Sequence, residues 1–529
     1  MANIFNSIRT RRLRRNTFDL SHEVKLSMNM GDLVPILCQE VIPGDSFRVT
    51  TELLMRFAPM IAPVMHRVNV YTHFFFVPNR LIWEDWKDFI TKGIDGTDAP
   101  VFPKLVSAGS SDNPDFAVGS LADYFGVPTG RKLVTGGISL LPFRAYQLIY
   151  NEYYRDQNLQ DEIEINLASG EFTLSQVNEL FKLRKRDWEK DYFTSALPWT
   201  QRGPEVTLPL GGTAPVSIND KANTGYFRKY DFDPDSPTPL NAQANTVGNS
   251  QDGILNVKEN ESNNLLGLKY DPNGTLDADL SQASGTTINE LRRSMALQKW
   301  MERNARAGSR YIEQIFSHFG VRSSDARLQR PEYLGGGKSP VMISEVLQTS
   351  QTTDSSPQAN MSGHGISAGR SHQFKKFFEE HGFIIGIMSV LPRTSYQQGL
   401  PKKFTRFDNM DYAFPEFAHL GEQEIKLGEL YWQGDEKQDS KLFGYTPRYA
   451  DYKYEPSRVH GDFRDTLKFW HLGRIFENVP ALNADFVEAD PSTRIFAVDD
   501  SGKTQKLWVQ LYNNVRAIRV LPKYGTPQL

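Results

Sequence analysis

Apolar positions are densest between Met65 and Ile90, in the stretch MHRVNVYTHFFFVPNRLIWEDWKDFI. Its first half is so rich in β-branched and aromatic residues that it reads as a strand buried on both faces. Pro78 cannot donate to a ladder and ends that strand. Asn79 is then placed to cap a helix in which Ile82, Trp86, Phe89 and Ile90 form one apolar stripe, with Gly93 as the stop.

The same patterning continues on either side. Leu33 to Thr51 holds two short β runs around the turn Pro43-Gly44-Asp45, and residues 94 to 142 are loop-rich. Pro142 suits the first turn of a helix that carries Phe143, Tyr146, Ile149, Tyr150 and Tyr153. A second helix is predicted from Ser175 to about Lys190, with Val177, Leu180, Phe181 and Trp188 on its apolar side. Its charge run, Lys182 to Arg186, is expected to be a solvated face. Helix returns from Asn289 to about Arg306, with Leu291, Met295, Leu297 and Met301 turned inward, and again from Ser309 to Phe319. From Ser339 the strand pattern resumes in VMISEVLQTS, HGFIIGIMSVLP and KLWVQLYNNVRAIRVLP. Strands at both ends of the chain favour a mainly β sandwich with long inserted connections over alternating βαβ units.

Between Pro204 and about Thr287 the composition shifts to Gly, Asn, Asp, Ser, Thr and Pro. A linker and an exposed insertion carried on a rigid body are equally good readings of that stretch.

Composition adds bounds. A chain of 529 residues with 39% hydrophobic content can bury a large core, and 39 Gly and 30 Pro supply many turns. A net charge of −3 argues against general affinity for nucleic acid. The charge is uneven, however, because RTRRLRR places Arg9, Arg11, Arg12, Arg14 and Arg15 together without an acid. Five guanidinium groups on a polar, extended arm suit sequence-independent phosphate contacts, and a solvated basic tail is the alternative. Cys38 is the only cysteine, so no intrachain disulfide can form, and its apolar neighbours predict a small buried hydrophobe. With no apolar N-terminal signal and no run of 18 apolar residues, neither secretion nor membrane insertion is expected.

Catalytic signatures fail on inspection. GGGKS at 335–339 lacks the upstream glycine of a phosphate loop and runs into Pro340 and a β-branched segment. Asp231, Asp233 and Asp235 begin like a calcium loop, but Ser236 and Ala242 occupy its later key positions. His66 and His73 flank the buried strand and read as structural. No catalytic residue, metal ligand or cofactor site is predicted, so an enzyme is not expected.

Four blocks add what spacing cannot. VYTHFFFVPNRLIWEDW (70–86), DYFTSALPWTQRGP (191–204), HGFIIGIMSVLPRTSYQQGLPKKFTRFDNMDYAFPEFAHLGEQEI (381–425) and FWHLGRIFENVPALNADF (469–486) resemble the major capsid proteins of the Microviridae, specifically the gokushovirus branch. The resemblance spares only about 205–287. It implies an eight-stranded antiparallel jelly roll in two parts, 31–203 and 289–529, behind a basic arm (1–30) and around a variable insertion (204–288). It further implies a T=1 icosahedral shell of identical copies around circular single-stranded DNA, a virion location, and assembly in the host bacterial cytoplasm. The small basic DNA-binding protein and DNA pilot protein of such phages, and a host surface receptor, are the implied partners. The aromatic loops Tyr396 to Phe417 and Tyr445 to Tyr454 are candidate subunit contacts, with intrachain packing as the alternative. A jelly-roll carbohydrate-binding module or lectin is the competing reading.

Overall fold

The computed structural model describes residues 14–107, 116–131, 137–204, 206, 287–308, 310–349, 358–498 and 504–524, together with strand backbones between 216 and 278. The chain divides into two compact units, Met1–Arg202 with Glu302–Leu529, and Gly203–Met301.

In the first unit, strands β1 (Asn16–Asp19), β2 (His22–Met28), β3 (Val34–Val41), β4 (Ser46–Phe57) and β5 (Val68–Pro78) come first. After the helical segments follow β6 (Glu332–Pro340), β7 (Met342–Leu347), β8 (Met361–Arg370), β9 (Phe374–Phe377) and β10 (Gly382–Pro392). β11 (Glu422–Lys426), β12 (Leu442–Pro447) and β13 (Leu507–Arg519) complete the set. One sheet runs β1 and β2, then β13, β4, β8 with β9, and β7; the other runs β6, β5, β10, β3. All these pairings are antiparallel.

Chain order alternates between the sheets in a regular way. β2 pairs with β13, β3 with β10, β4 with β8 and β5 with β6. Alternate pairs lie in opposite sheets, as in a long antiparallel hairpin rolled up on itself. That winding is a jelly roll.

The core lies between the sheets. Val34 and Leu37 of β3, Phe47 and Met55 of β4, Phe74 and Phe76 of β5, Met388 of β10 and Leu511 of β13 share one buried cluster. Each such side chain contributes on the order of 1.5–3 kcal/mol by leaving water. β5 is buried on both faces, as its sequence predicts. Phe75 and Val77 turn the opposite way and pack under a helical layer with Trp83, Phe143, Tyr146 and Ile149. That layer contains α1 (Trp86–Thr91), α2 (Leu121–Tyr124), α3 (Leu141–Ile149) and α4 (Leu174–Val177). α3 carries Pro142 in its first turn as expected and buries Phe143, Tyr146 and Ile149.

Several expectations are corrected. The helix expected from Asn79 is a 3-10 turn, Asn79–Leu81, followed by a separate α1 whose cap is Asp85. Trp83 Nε1 donates to Ser169 Oγ at 2.7 Å, and Ser169 Oγ donates to Asp85 at 2.5 Å, which pins the chain in a non-helical path. Ile90 is exposed rather than part of a buried stripe. The helix expected to run to Lys190 is over by Phe181. Beyond it, Leu33 N–H donates to Arg184 O at 2.9 Å and Arg186 N–H donates to Gly31 O at 2.8 Å, so backbone pairing with the start of β3 replaces helix. Cys38 is exposed, because β3 is an edge strand and its outer half turns to solvent. Residues 16–28, expected within a polar arm, are strands on the edge of β13.

GGGKS lies in β6, opposite Phe74, His73 and Thr72 of β5. A Cβ at Gly336 would stand 2.4 Å from Thr72 O, so the glycine permits close strand approach, not phosphate binding.

The second unit has strands of its own. Phe227–Lys229, Ser262–Tyr270, Leu255–Glu259 and Asn245–Asn249 form one sheet in that order, and Val216–Ile218 pairs with Leu276–Ala278. Its last helix, α5 (Ile288–Ala307), continues into the first unit, where α6 (Tyr311–Phe319) follows. Of the α5 side chains expected inward, Met301 is buried, whereas Leu291, Met295 and Leu297 are exposed.

Candidate assembly and nucleic-acid surfaces

A large cleft of about 930 Å³ is lined by Tyr153, Asp156, Arg186, Asp187, Glu189 and Lys190, among others. Its charges neutralise one another. Lys190 pairs with Asp156, Lys338 with Glu189 at 3.3 Å, and Arg310 with Glu313 at 3.5 Å. Ser195 Oγ donates to the Asp191 carbonyl, so it faces no general base. His73 is bonded to Tyr154 Oη at 2.8 Å and His66 to the Arg393 carbonyl at 2.6 Å, and burial lowers both to about 4. They are satisfied structural imidazoles at neutral pH. Among the described residues no cluster of His, Cys, Asp or Glu could hold a metal ion, and no helix is long and apolar enough to cross a membrane. The aspartates at 231, 233 and 235 lie outside the described residues.

The outstanding surface feature is the segment 402–420. Three short turns, Lys402–Phe404, Asn409–Asp411 and Pro415–Phe417, order its backbone. The Asp411 carboxylate accepts from the N–H groups of Phe407 (2.8 Å) and Asp408 (2.9 Å), which hold its pKa below the usual range. Arg406 is tied to Asp451 and lies 4.1 Å over the Tyr452 ring. Gln423 Nε2 donates to the same Asp451 at 2.8 Å, and Phe414 N–H donates to Tyr449 Oη at 3.2 Å. The 422–454 region thus braces the loop from beneath, over a small core of Tyr192, Phe193, Ile425 and Phe443. On this fixed backbone Phe404 (61% exposed), Phe407 (89%), Met410, Tyr412, Phe414 and Leu420 point into water. A monomer gains nothing from a braced apolar patch, whereas an association surface does. Tyr396, grouped with this loop in sequence, is buried and donates to Asp191 at 2.7 Å.

The edge strand β7 repeats the theme. Met342, Val346 and Leu347 are exposed, and among the described residues β7 pairs with β8 alone. Its sequence signals a strand, but nothing in it marks the strand as a sheet edge.

Of the arginine arm, Arg9, Arg11 and Arg12 lie outside the described residues. Arg14 and Arg15 are exposed, and the Arg15 guanidinium lies 5.2 Å from the Phe377 ring centroid. The internal basic run is spoken for. Lys182 and Arg184 pair with Glu179, Lys185 with Asp490 at 2.6 Å, and Arg186 lies 4.1 Å over Tyr71.

Known proteins place these surfaces in context. Residues 6–529 match the family described as Capsid protein (F protein). Capsid protein VP1 of Chlamydia phage 1 is 37% identical, covering 100% of this chain and 98% of its own length. Capsid protein VP1 of Bdellovibrio phage phiMH2K is 37% identical over 97% of this chain and 95% of its own. The corresponding protein of Spiroplasma virus 4 is 32% identical, over 99% and 97%. These matches agree with the resemblance carried by the four sequence blocks and run through the insertion as well. The chain therefore belongs to the Capsid protein (F protein) family and is a structural capsid protein of phage type, not an enzyme.

Proposed function

We propose that this chain is the repeated subunit of a small T=1 icosahedral shell that encloses circular single-stranded DNA. The observation that carries the reading is the braced loop at 402–420, whose six exposed large apolar side chains need a partner surface. Copies of the same chain are the partner that closed symmetry supplies, and contacts too weak to hold a dimer add up when each subunit makes several. Arg9, Arg11, Arg12, Arg14 and Arg15 contribute phosphate contacts to the packaged genome, alongside a small basic DNA-binding protein and a DNA pilot protein. The insertion at 204–288 stands on the outer surface and meets a receptor on the bacterial host. The completed product is the virion, built in the host cytoplasm.

Electron microscopy of the chain produced with its companion phage proteins tests this directly. Uniform closed shells are expected, with Phe407 and Tyr412 buried between copies. A protein that stays monomeric with its partners present refutes the assembly reading.

A further inference from the structure

The exposed face of the sheet that carries β13 and β4 is unlike an ordinary solvated sheet face. Along β13, Leu507, Val509 and Leu511 point into the core while Trp508, Gln510 and Tyr512 point out, with Trp508 50% exposed and Tyr512 39%. Register places Trp508 beside Arg56, Tyr512 beside Glu52, and Arg516 beside Arg48. Lys25 flanks Gln510 from β2, and Lys375 flanks Arg48 from β9. Strand pitch separates Trp508 from Tyr512 by about 13 Å along the face.

The charge on this face has one dominant sign. Lys25, Arg48, Arg56, Arg370, Lys375 and Arg516 stand against Asp19, Glu23 and Glu52. Glu23 is 3.8 Å from Lys25, Glu52 is 3.7 Å from Arg370, and Asp19 faces Arg516 across the ladder. Six cations less three acids leave an excess of three. Beside Trp508 runs a groove of about 610 Å³ whose walls include Lys25, Arg56, Asp123, Tyr124 and Gln510, two cations against one acid. The arginine arm joins this same sheet, because β1 follows Arg15 directly and pairs with β13. Arg15 itself lies over Phe377 of β9, at the end of the face.

Exposed rings set among an excess of cations are what a flexible polyanion with unstacked bases requires. Phosphates track the positive groove, and any base can stack on an aromatic ring without sequence preference. We propose that the outer face of β2, β13 and β4 is a platform for single-stranded nucleic acid, with Trp508 and Tyr512 as stacking surfaces and Arg48, Arg56 and Lys25 as phosphate contacts. This rests on the reading that the chain encloses single-stranded DNA, and it sets this sheet on the inner wall of the shell.

The test is fluorescence anisotropy of a labelled oligothymidylate with the full chain at several salt concentrations. Trp508→Ala is expected to weaken binding about tenfold with little change in salt slope, and Trp508→Phe to restore it. Arg56→Gln is expected to reduce the slope of log affinity against log salt by about 0.7. Photocrosslinking of the unaltered protein to a 4-thiothymidine oligonucleotide is independent of any folding defect and should label the peptide 507–519. Unchanged affinity in Trp508→Ala, or crosslinks confined to residues 1–15, overturns the platform while leaving encapsidation intact. A variant that binds normally yet builds no shells marks the face as a subunit contact and also overturns it. Wild-type particles that contain no DNA refute the underlying encapsidation reading instead.

Discussion

Replacing Asp187 with asparagine should change how stability depends on pH. Asp187 sits where three segments pair. Arg186 N–H donates to Gly31 O at 2.8 Å, Trp188 N–H donates to Val487 O at 2.8 Å, and Ala489 N–H donates to Arg186 O at 2.9 Å. Its side chain is buried and accepts from Gln160 Nε2 at 2.9 Å. Burial raises its pKa from 3.8 to about 7; Lys190 and the Gln160 bond oppose the rise, and Asp156 and Glu488 add to it. Between those two values the folded chain keeps a proton that the unfolded chain has shed. Stability from this group is therefore lost as pH rises from about 4 through 7, and the loss is complete above that. At about 1.4 kcal/mol per pH unit, the displacement amounts to at most about 4 kcal/mol. Asp187→Asn removes the titration while retaining an acceptor for Gln160. The melting temperature of the variant minus that of wild type should be near zero at about pH 4, climb through the window and level off by about pH 8. Differential scanning fluorimetry reads this difference directly. Parallel curves for the two proteins would refute the argument, since they would mean that the junction does not hold a protonated carboxyl.

Four further perturbations separate folding from assembly. Phe75→Ala opens a cavity under the helical layer and should cost about 3–5 kcal/mol, seen as a lower melting temperature, whereas Phe407→Ser should leave melting unchanged and abolish shells in sedimentation. Deleting residues 1–15 stops short of β1, so the fold should persist while genome retention weakens; truncated particles that package DNA with unchanged salt sensitivity would contradict this. Removing about 205–287 deletes a region whose described strands pair with one another, so shells should still form while adsorption to host cells fails, and loss of soluble protein would show the insertion to be structural.

Elements whose stability is local or doubly buried were legible in the sequence. β5 is apolar at almost every position because both its faces are covered, and no register choice alters that pattern. α3 combines a proline at its start with apolar residues at helical spacing, and both signals agree. The two misread helices fail for a common reason. Residues 182–188 have helical spacing, but their N–H and C=O groups find partners at residues 31–33 and 487–489, which no local window contains. After Asn79 the chain likewise yields to a single anchored side chain, Trp83. The jelly roll was legible only through family resemblance and the strand register not at all, since pairings such as Asn16 with Arg519 join opposite ends of the chain.

The surfaces were harder to see for a different physical reason. Along β13 the order Leu-Trp-Val-Gln-Leu-Tyr places large apolar groups on both faces, so alternation alone does not reveal which face is core. The choice is made by β4, whose Phe47, Val49, Leu53 and Met55 lie on one side and whose Arg48, Glu52 and Arg56 lie on the other. Leu291 and Met295 on α5 keep helical spacing as if they faced a core, yet they stand in solvent. A side chain selected to be buried by another molecule obeys the same hydrophobic pattern as one buried by its own chain. For a protein that tiles with copies of itself, the residues that misled the reading of the isolated chain are therefore the ones to examine first as contacts. Leu291, Met295 and Leu297 head that set, because they keep the spacing of core residues and yet are exposed.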